Sequence, residues 1–201
     1  MSHYFENADG PLVTREIQAT VFDADLTFVT AGGVFSGSRL DLGTSVLLRE
    51  VEPPLEGRVL DLGCGFGPIA VGLAVAEPGV IVDAIDVNER AVELTRINAE
   101  RNGVADRVQA TTPDEVPRER RYQEIWSNPP IRIGKQALHE LLLTWLPRLE
   151  DDGEAWLVVG KNLGADSLQA WLTQQGWPTA KVASAKGFRV LKVSRGLPAR
   201  G

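Results

Sequence analysis

From about residue 57 the chain alternates short apolar runs with stretches whose apolar residues recur at helical spacing, the pattern of a parallel sheet covered on both faces. "RVLDL" (58–62) predicts the first strand of this series, closed by glycines. "PIAVGLAVAEP" (68–78) predicts a helix with Pro68 in its first turn and Pro78 as its stop. A second strand follows at "VIVDAID" (80–86), then a helix over 88–103 in which Asn88 caps, Ala91, Leu94, Ile97 and Asn98 share a face, and Gly103 ends the run. "RVQAT" (107–111), "QEIWS" (123–127) and "EAWLVVG" (154–160) predict three further strands, with helices over 135–149 and 166–176. The segment 179–195 alternates as two strands turning at Lys186-Gly187, so an antiparallel hairpin completes a seven-stranded sheet.

The first 50 residues differ in character. Residues 15–30 alternate like a small two-stranded unit turning near Asp23 to Asp25, and 32–51 run through a glycine-rich loop into a short helix. We read 1–50 as an extension laid over the main sheet and 51–201 as the main domain.

Composition narrows the setting. No apolar run is long enough to span a bilayer, and the N-terminal residues lack a basic stretch followed by an apolar one, so a cytoplasmic location is expected. Cys64 is the only cysteine, which excludes an internal disulfide and a cysteine-built zinc site. The two histidines, His3 and His139, lie far apart, and no metal is expected. A net charge of −6 is not the footprint of a protein that coats nucleic acid, although it permits a local basic rim.

"LDLGCGFGPIAV" (60–71) carries the first candidate chemistry. Glycines at 63, 65 and 67 between a strand and a helix let the backbone turn sharply and approach a ligand where a Cβ would clash. The second strand ends at Asp86, placed to accept hydrogen bonds from a ribose diol. A nicotinamide site usually shows G-x-G-x-x-G, whose third glycine position is here Pro68. Asp61 before a G-x-G-x-G series suits S-adenosylmethionine instead, whose free amino group is a natural partner for a carboxylate. The bland alternative is a glycine-rich turn that binds nothing.

"WSNPPIRIGK" (126–135) carries the second. Two prolines end a core strand, because neither can donate to a ladder. The D-x-G-x-G-x-G loop, Asp86 and Asn128-Pro129-Pro130 together resemble the class I S-adenosylmethionine-dependent methyltransferases. More narrowly, "GVFSGSRLDLGTSVLL", "LDLGCGFGPIAVGLA", "DVNERAVELTRINAERNGV" and "SNPPIRIGK" are similar to the small methyltransferase domain of the RsmC type, over nearly the whole chain. That resemblance implies an α/β, Rossmann-like seven-stranded sheet, mostly parallel, with helices on both faces, an antiparallel C-terminal hairpin and a small N-terminal β extension. It also implies S-adenosyl-L-methionine as cofactor, methylation of the guanine exocyclic amine in small-subunit (16S) ribosomal RNA, and ribosomal RNA or the small subunit as partner.

A purine exocyclic amine is a poor nucleophile because its lone pair is delocalised into the ring. Two acceptors beside its N–H bonds orient it and favour a more tetrahedral nitrogen. The resemblance implies that Asn128 and the Pro129 carbonyl fill this role, with Pro130 stiffening the segment. It places Asp61, Gly63, Cys64, Gly65, Gly67, Asp86, Val87, Asp114 and Asn128 around the cofactor, and Asp41, Gly43 and Thr44 in a lid-like segment over its methionine end. Many relatives carry an aromatic residue after N-P-P that stacks on the flipped base. Here that position is Ile131, which offers only apolar contact; Phe35 is either a substitute or a core aromatic. Arg132 and Lys135 either meet phosphates near the target base or form a solvated pair. "RERR" (118–121) and the series Lys186, Arg189, Lys192, Arg195 could extend a basic rim. The same acceptor pair serves DNA adenine and protein glutamine methylation, and a cofactor-binding module without catalysis is a further alternative.

Overall fold

The computed structural model describes residues 14–34 and 39–196. In chain order the elements are β1 (Thr14–Val21), β2 (Ala24–Ala31), α1 (Leu42–Glu50), β3 (Glu56–Leu62), α2 (Pro68–Ala76), β4 (Gly79–Ile85), α3 (Glu89–Arg101) and β5 (Val108–Thr111). They continue with β6 (Tyr122–Ser127), α4 (Lys135–Trp145), β7 (Leu149–Gly160), α5 (Ala165–Gln174), β8 (Thr179–Ala185) and β9 (Phe188–Ser194). β1 and β2 pair by themselves, and the other seven strands form one sheet in the order β5-β4-β3-β6-β7-β9-β8. β3 to β7 run parallel, and β9 lies antiparallel between β7 and β8. The architecture is the Rossmann-like α/β class the sequence led us to expect.

Alternation along the strands divides the core into two layers. Val59, Trp126 and Val158 face the apolar cluster formed with α1, α2 and α3, through residues such as Leu47, Leu73 and Leu94. Their neighbours Leu60, Ile125 and Leu157 face the other cluster, with Leu142 of α4 and Leu168 of α5. Strands covered on both faces read as continuous apolar runs, which is why they were visible in the sequence.

Chain order sets the position of the site. The path moves outward from β3 through β4 to β5, then returns to place β6 on the other side of β3. Strand order reverses there, which opens a crevice beyond the C-terminal ends of these two strands. Asp61 of β3 is level with Trp126 of β6, so the glycine loop and Asn128 emerge side by side.

Two expectations change. The turn of the first hairpin is Phe22-Asp23, both left-handed (φ 46° and 64°), one step earlier than Asp23 to Asp25. A type I′ turn favours glycine or asparagine, but the Phe22 ring gains an edge contact with Trp126, centroids 6.2 Å apart. This hairpin packs mainly on α2 and α3 and reaches the sheet through Phe22; Gly72 admits it, because a Cβ there would sit 2.5 Å from Val21 Cγ1. Finally, α4 ends at Trp145 in a 3-10 turn containing Pro147, and β7 starts at Leu149 with a bulge before Glu154. Proline has no N–H to continue the helical ladder, so the longer helix expected from apolar spacing stops early.

Candidate active site

The loop after β3 is built by backbone demands. Gly63, Gly65 and Gly67 all have positive φ (82°, 59° and 87°). A Cβ on Gly65 would meet nothing within 4 Å, so this stretch of backbone borders open space. A Cβ on Gly67 would lie 2.8 Å from Thr95 Cγ2, so that glycine serves the packing of α3. Gly63 and Cys64 donate to the Ile85 carbonyl at 2.9 and 3.0 Å, which ties the loop to the end of β4.

Helix α3 secures the same loop from beneath. The Thr95 hydroxyl lies 3.1 Å from the Gly65 carbonyl and 3.4 Å from Cys64 Sγ. Asn98 Nδ2 donates to the Phe66 carbonyl at 2.7 Å. Both side chains are fully buried. The sequence signal was present as two polar residues on the apolar stripe of α3, but their partners were not readable. The Cys64 thiol is also buried, and burial pushes it well above the ordinary thiol range, which makes it a packing group and not a nucleophile.

Asp61 is fully buried at the end of β3. Its Oδ2 accepts from the Ala70 N–H at 3.0 Å, capping the first turn of α2 from a distance. Its Oδ1 has no hydrogen-bond partner. Burial, with a smaller contribution from the charge of Asp86, pushes its carboxyl up to about 7. An unpartnered carboxylate oxygen is costly in an interior, and a bound ammonium group would satisfy it. Asp86 accepts from Gly65 N at 3.0 Å and from Asn88 N at 2.9 Å, and burial raises its carboxyl as well. Each oxygen keeps a lone pair for a diol. Val87 beside it is 52% exposed, an apolar surface next to that acid. Asp114 is exposed in the 3-10 turn Pro113–Glu115 that follows β5.

Beyond β6, the buried Ser127 hydroxyl donates to the Leu62 carbonyl at 2.6 Å and locks the two strand ends together. Asn128 Nδ2 donates to Asp41 Oδ2 at 2.7 Å and to Thr44 Oγ1 at 3.0 Å. Asp41, Thr44 and Asn128 line one cleft with Gly63, Cys64, Gly65 and Phe66 of the glycine loop. Pro130 takes φ −73° and ψ 78°, an inverse γ-turn in which Ile131 N donates to the Pro129 carbonyl at 2.8 Å. The carbonyl we expected to meet the amine is therefore already engaged, with one lone pair left.

The remaining candidates spread out. Ile131 is half-buried against the apolar cluster under α4. Arg132 lies in the 3-10 turn Ile131–Ile133, and Lys135 is exposed as the first residue of α4. Phe35 lies outside the described residues. "RERR" precedes β6 and so sits at the opposite edge of the sheet from Asn128; Arg120 there pairs with the buried Asp83. β9 runs antiparallel to β7, so Lys186 and Arg189 flank the site edge while Arg195 lies at the far one. Arg189 and Lys192 pair with Asp166 and Glu154. The basic rim expected from these two segments is thus reduced to its Lys186 end.

Three features at the ends of β3 and β4 fit the expected cofactor: open space over Gly65, an orphaned buried acceptor at Asp61, and Asp86 with spare lone pairs. Among the described residues no group of three His, Cys, Asp or Glu side chains is arranged to hold a metal ion, and no helix is long and apolar enough to cross a membrane.

Comparison with known proteins agrees. The family model for the methyltransferase small domain matches residues 25–192. The chain is 35% identical to the uncharacterized protein YbxB of Bacillus subtilis over 199 residues, covering 96% of this chain and 98% of that one. It is 33% identical over 178 residues to ribosomal RNA small subunit methyltransferase C of Ectopseudomonas mendocina, covering 86% of this chain and 52% of that one. It thus spans about half the length of that relative. The structure of the T. thermophilus 16S rRNA N2 G1207 methyltransferase (RsmC) in complex with AdoMet and guanosine superimposes with a TM-score of 0.80 at 24% identity, covering 92% of this chain and 51% of that one. The chain belongs to the methyltransferase small domain family of class I enzymes and is an S-adenosylmethionine-dependent methyltransferase.

Proposed function

We propose that this methyltransferase acts on the N2 exocyclic amine of guanine in small-subunit (16S) ribosomal RNA. The observation that carries this reading is the Asn128 carboxamide at the lip of the glycine-loop cleft, with its nitrogen bonded to Asp41 and Thr44 and its oxygen left to accept. When bound, the cofactor supplies a methyl group made electrophilic by a positive sulfur. The protein's work is then alignment, the main source of rate in a transfer between bound partners. Asn128 Oδ1 and the second lone pair of the Pro129 carbonyl receive the two amine N–H bonds. Asp61, Gly63, Cys64, Gly65, Gly67, Asp86, Val87 and Asp114 surround the cofactor, with Cys64 contributing backbone.

Support for an RNA substrate comes from the ribosomal RNA methyltransferases that the chain resembles and from Lys135. A lysine in the first turn of a helix opposes the helix dipole, and no acidic residue shares that turn. A phosphate beside it would offset the penalty. Ile131 offers apolar contact to the base, and Arg132 lies in the same segment. The overall charge of −6 favours docking on a defined surface over diffuse attraction to nucleic acid.

Purified protein, cofactor labelled in its methyl group and isolated small ribosomal subunits test the proposal. Label is expected in N2-methylguanosine after digestion of the RNA to nucleosides. Label in protein, in adenine or in no acceptor, with binding retained, would replace this reading by one of its alternatives.

Asp61 gives a pH signature. Its carboxyl keeps a proton up to about pH 7 in the folded chain, whereas an unfolded aspartate loses it near pH 4. This contribution to the free protein's stability is complete below the unfolded value and is lost as pH rises through about 7. An ammonium group at Oδ1 needs the carboxylate, so cofactor affinity is expected to rise with pH up to about 7 and then level off. Calorimetric titration below that pH should show proton release on binding, and Asp61→Asn should abolish the release. Release that persists unchanged in Asp61→Asn would assign the proton to another group, Asp86 first.

A further inference from the structure

An asparagine side chain has two ends of similar size and opposite hydrogen-bonding character. Only the oxygen can serve as an acceptor for an amine. A carboxamide free to rotate by half a turn would present the wrong end much of the time, so its neighbours must distinguish the ends.

Here they do. The Asn128 nitrogen donates to Asp41 Oδ2 at 2.7 Å and to the Thr44 hydroxyl oxygen at 3.0 Å. An aspartate carboxylate has no proton to give, so only the NH₂ end of the amide can face it. The opposite end, Oδ1, meets no donor among the described residues. The same Asp41 oxygen also accepts from Gly43 N at 2.7 Å and Thr44 N at 3.1 Å, as the N-cap of α1. One acceptor therefore fixes both the start of α1 and the orientation of the amide, across a separation of 87 residues.

The helix end itself is seated. α1 packs on β7 and β9. Gly43 lets the Phe188 ring close over it, since a Cβ there would lie 2.9 Å from Phe188 Cε1. The Asp41 carboxylate cannot move away from Asn128 unless the first turn of α1 shifts.

We infer that Asp41, assisted by Thr44, is a positioning residue for methyl transfer: it holds the Asn128 carboxamide with its oxygen toward the acceptor amine. This inference rests on the reading of Asn128 as amine acceptor. It differs from the lid role implied for Asp41, Gly43 and Thr44 by family resemblance, because the effect passes through Asn128 and not through the cofactor.

The decisive variant is Asp41→Asn. Asparagine caps a helix about as well as aspartate, so α1 persists, but its amide can pair with either end of Asn128. The kcat for transfer to small ribosomal subunits is expected to fall about 10- to 100-fold. The dissociation constant for S-adenosylhomocysteine and the unfolding midpoint should stay close to those of the parent. In an Asn128→Ala background the same change should add almost nothing, because the group it orients is gone. A readout independent of any RNA is the Asn128 side-chain amide signal in a proton–nitrogen NMR spectrum, assigned by its loss in Asn128→Ala. Its protons should exchange slowly with solvent in the parent and quickly in Asp41→Asn.

Unchanged kcat, a loss confined to S-adenosylhomocysteine affinity, full additivity with Asn128→Ala, or equal amide exchange in parent and variant would each overturn the inference. Full activity of Asn128→Ala would instead overturn the reading of Asn128 on which it rests. The two failures are thus told apart by which variant stays active.

Discussion

Replacing Asn128 with alanine is expected to lower methyl transfer by about 10²- to 10³-fold while leaving cofactor binding nearly unchanged. The size follows from what is removed. A fixed acceptor that orients a nucleophile contributes to the transition state much as an oxyanion-hole donor does, and loss of one such group costs about 3–4 kcal/mol in barrier. The fold should tolerate the change. Asp41 Oδ2 keeps Gly43 N and Thr44 N as donors after the Asn128 nitrogen is gone, and only the buried Thr44 hydroxyl loses its partner, so stability should fall by about 1–3 kcal/mol. The other groups assigned to the cofactor, in the glycine loop and at Asp61 and Asp86, are left in place by the change. Single-turnover transfer and equilibrium dialysis with S-adenosylhomocysteine separate the two effects. A parallel loss of both would make Asn128 a binding residue, and the acceptor role proposed for it would fall.

The features that were legible in the sequence are those written into the local backbone. The glycine loop announced itself because left-handed turns at 63, 65 and 67 exclude most side chains. Asn128-Pro129-Pro130 did so because proline must stop a strand. Buried parallel strands read as apolar runs, and their alternation with helices fixed the class of sheet. What could not be read was mostly non-local. The bond from Asn128 to Asp41 joins residues 87 apart, and neither has a local pattern that names the other. Thr95 and Asn98 looked like interruptions of an apolar stripe, and only the fold brings the carbonyls of Gly65 and Phe66 to them. Strand direction was decisive for the charged segments. "RERR" stands six residues before the N-P-P motif in sequence, yet the length of β6 carries it to the other edge of the sheet.

The Pro129 carbonyl is an instructive partial miss. Two prolines predict a stiff segment, but not the turn they make. An inverse γ-turn at Pro130 uses the Pro129 carbonyl internally, so the segment stiffens itself by a hydrogen bond as well as by its rings. In the proposed reaction this makes Asn128 the stronger acceptor of the pair, and it explains why its orientation matters so much.

Asn98→Ala should be the most damaging substitution for stability, with a loss of about 3–6 kcal/mol. The Asn98 side chain is fully buried and makes three hydrogen bonds: Oδ1 accepts from Val29 N at 2.6 Å, and Nδ2 donates to the Val29 carbonyl at 2.8 Å and the Phe66 carbonyl at 2.7 Å. Its carboxamide takes the place of a missing strand beside β2, satisfying both backbone groups of one residue. Asn102 Nδ2 repeats the device at the Thr27 carbonyl, 3.1 Å away. The periods match: four residues of helix rise about 6 Å, and two residues of strand advance nearly 7 Å. Alanine at 98 would orphan Val29 N, Val29 O and Phe66 O together, at about 1–3 kcal/mol for each unsatisfied group, eased where water can enter. For a domain of this size the unfolding midpoint should drop by roughly 6–24 °C. Asn98→Leu separates lost volume from lost hydrogen bonds, because it refills the space and leaves the same three groups unpaired. It should be nearly as destabilising as alanine. Cofactor affinity should weaken in both variants, since the Phe66 carbonyl belongs to the glycine loop and its release loosens the turn that faces the ligand. A leucine variant within about 1 kcal/mol of the parent would show that packing, and not the polar clamp, joins β2 to α3.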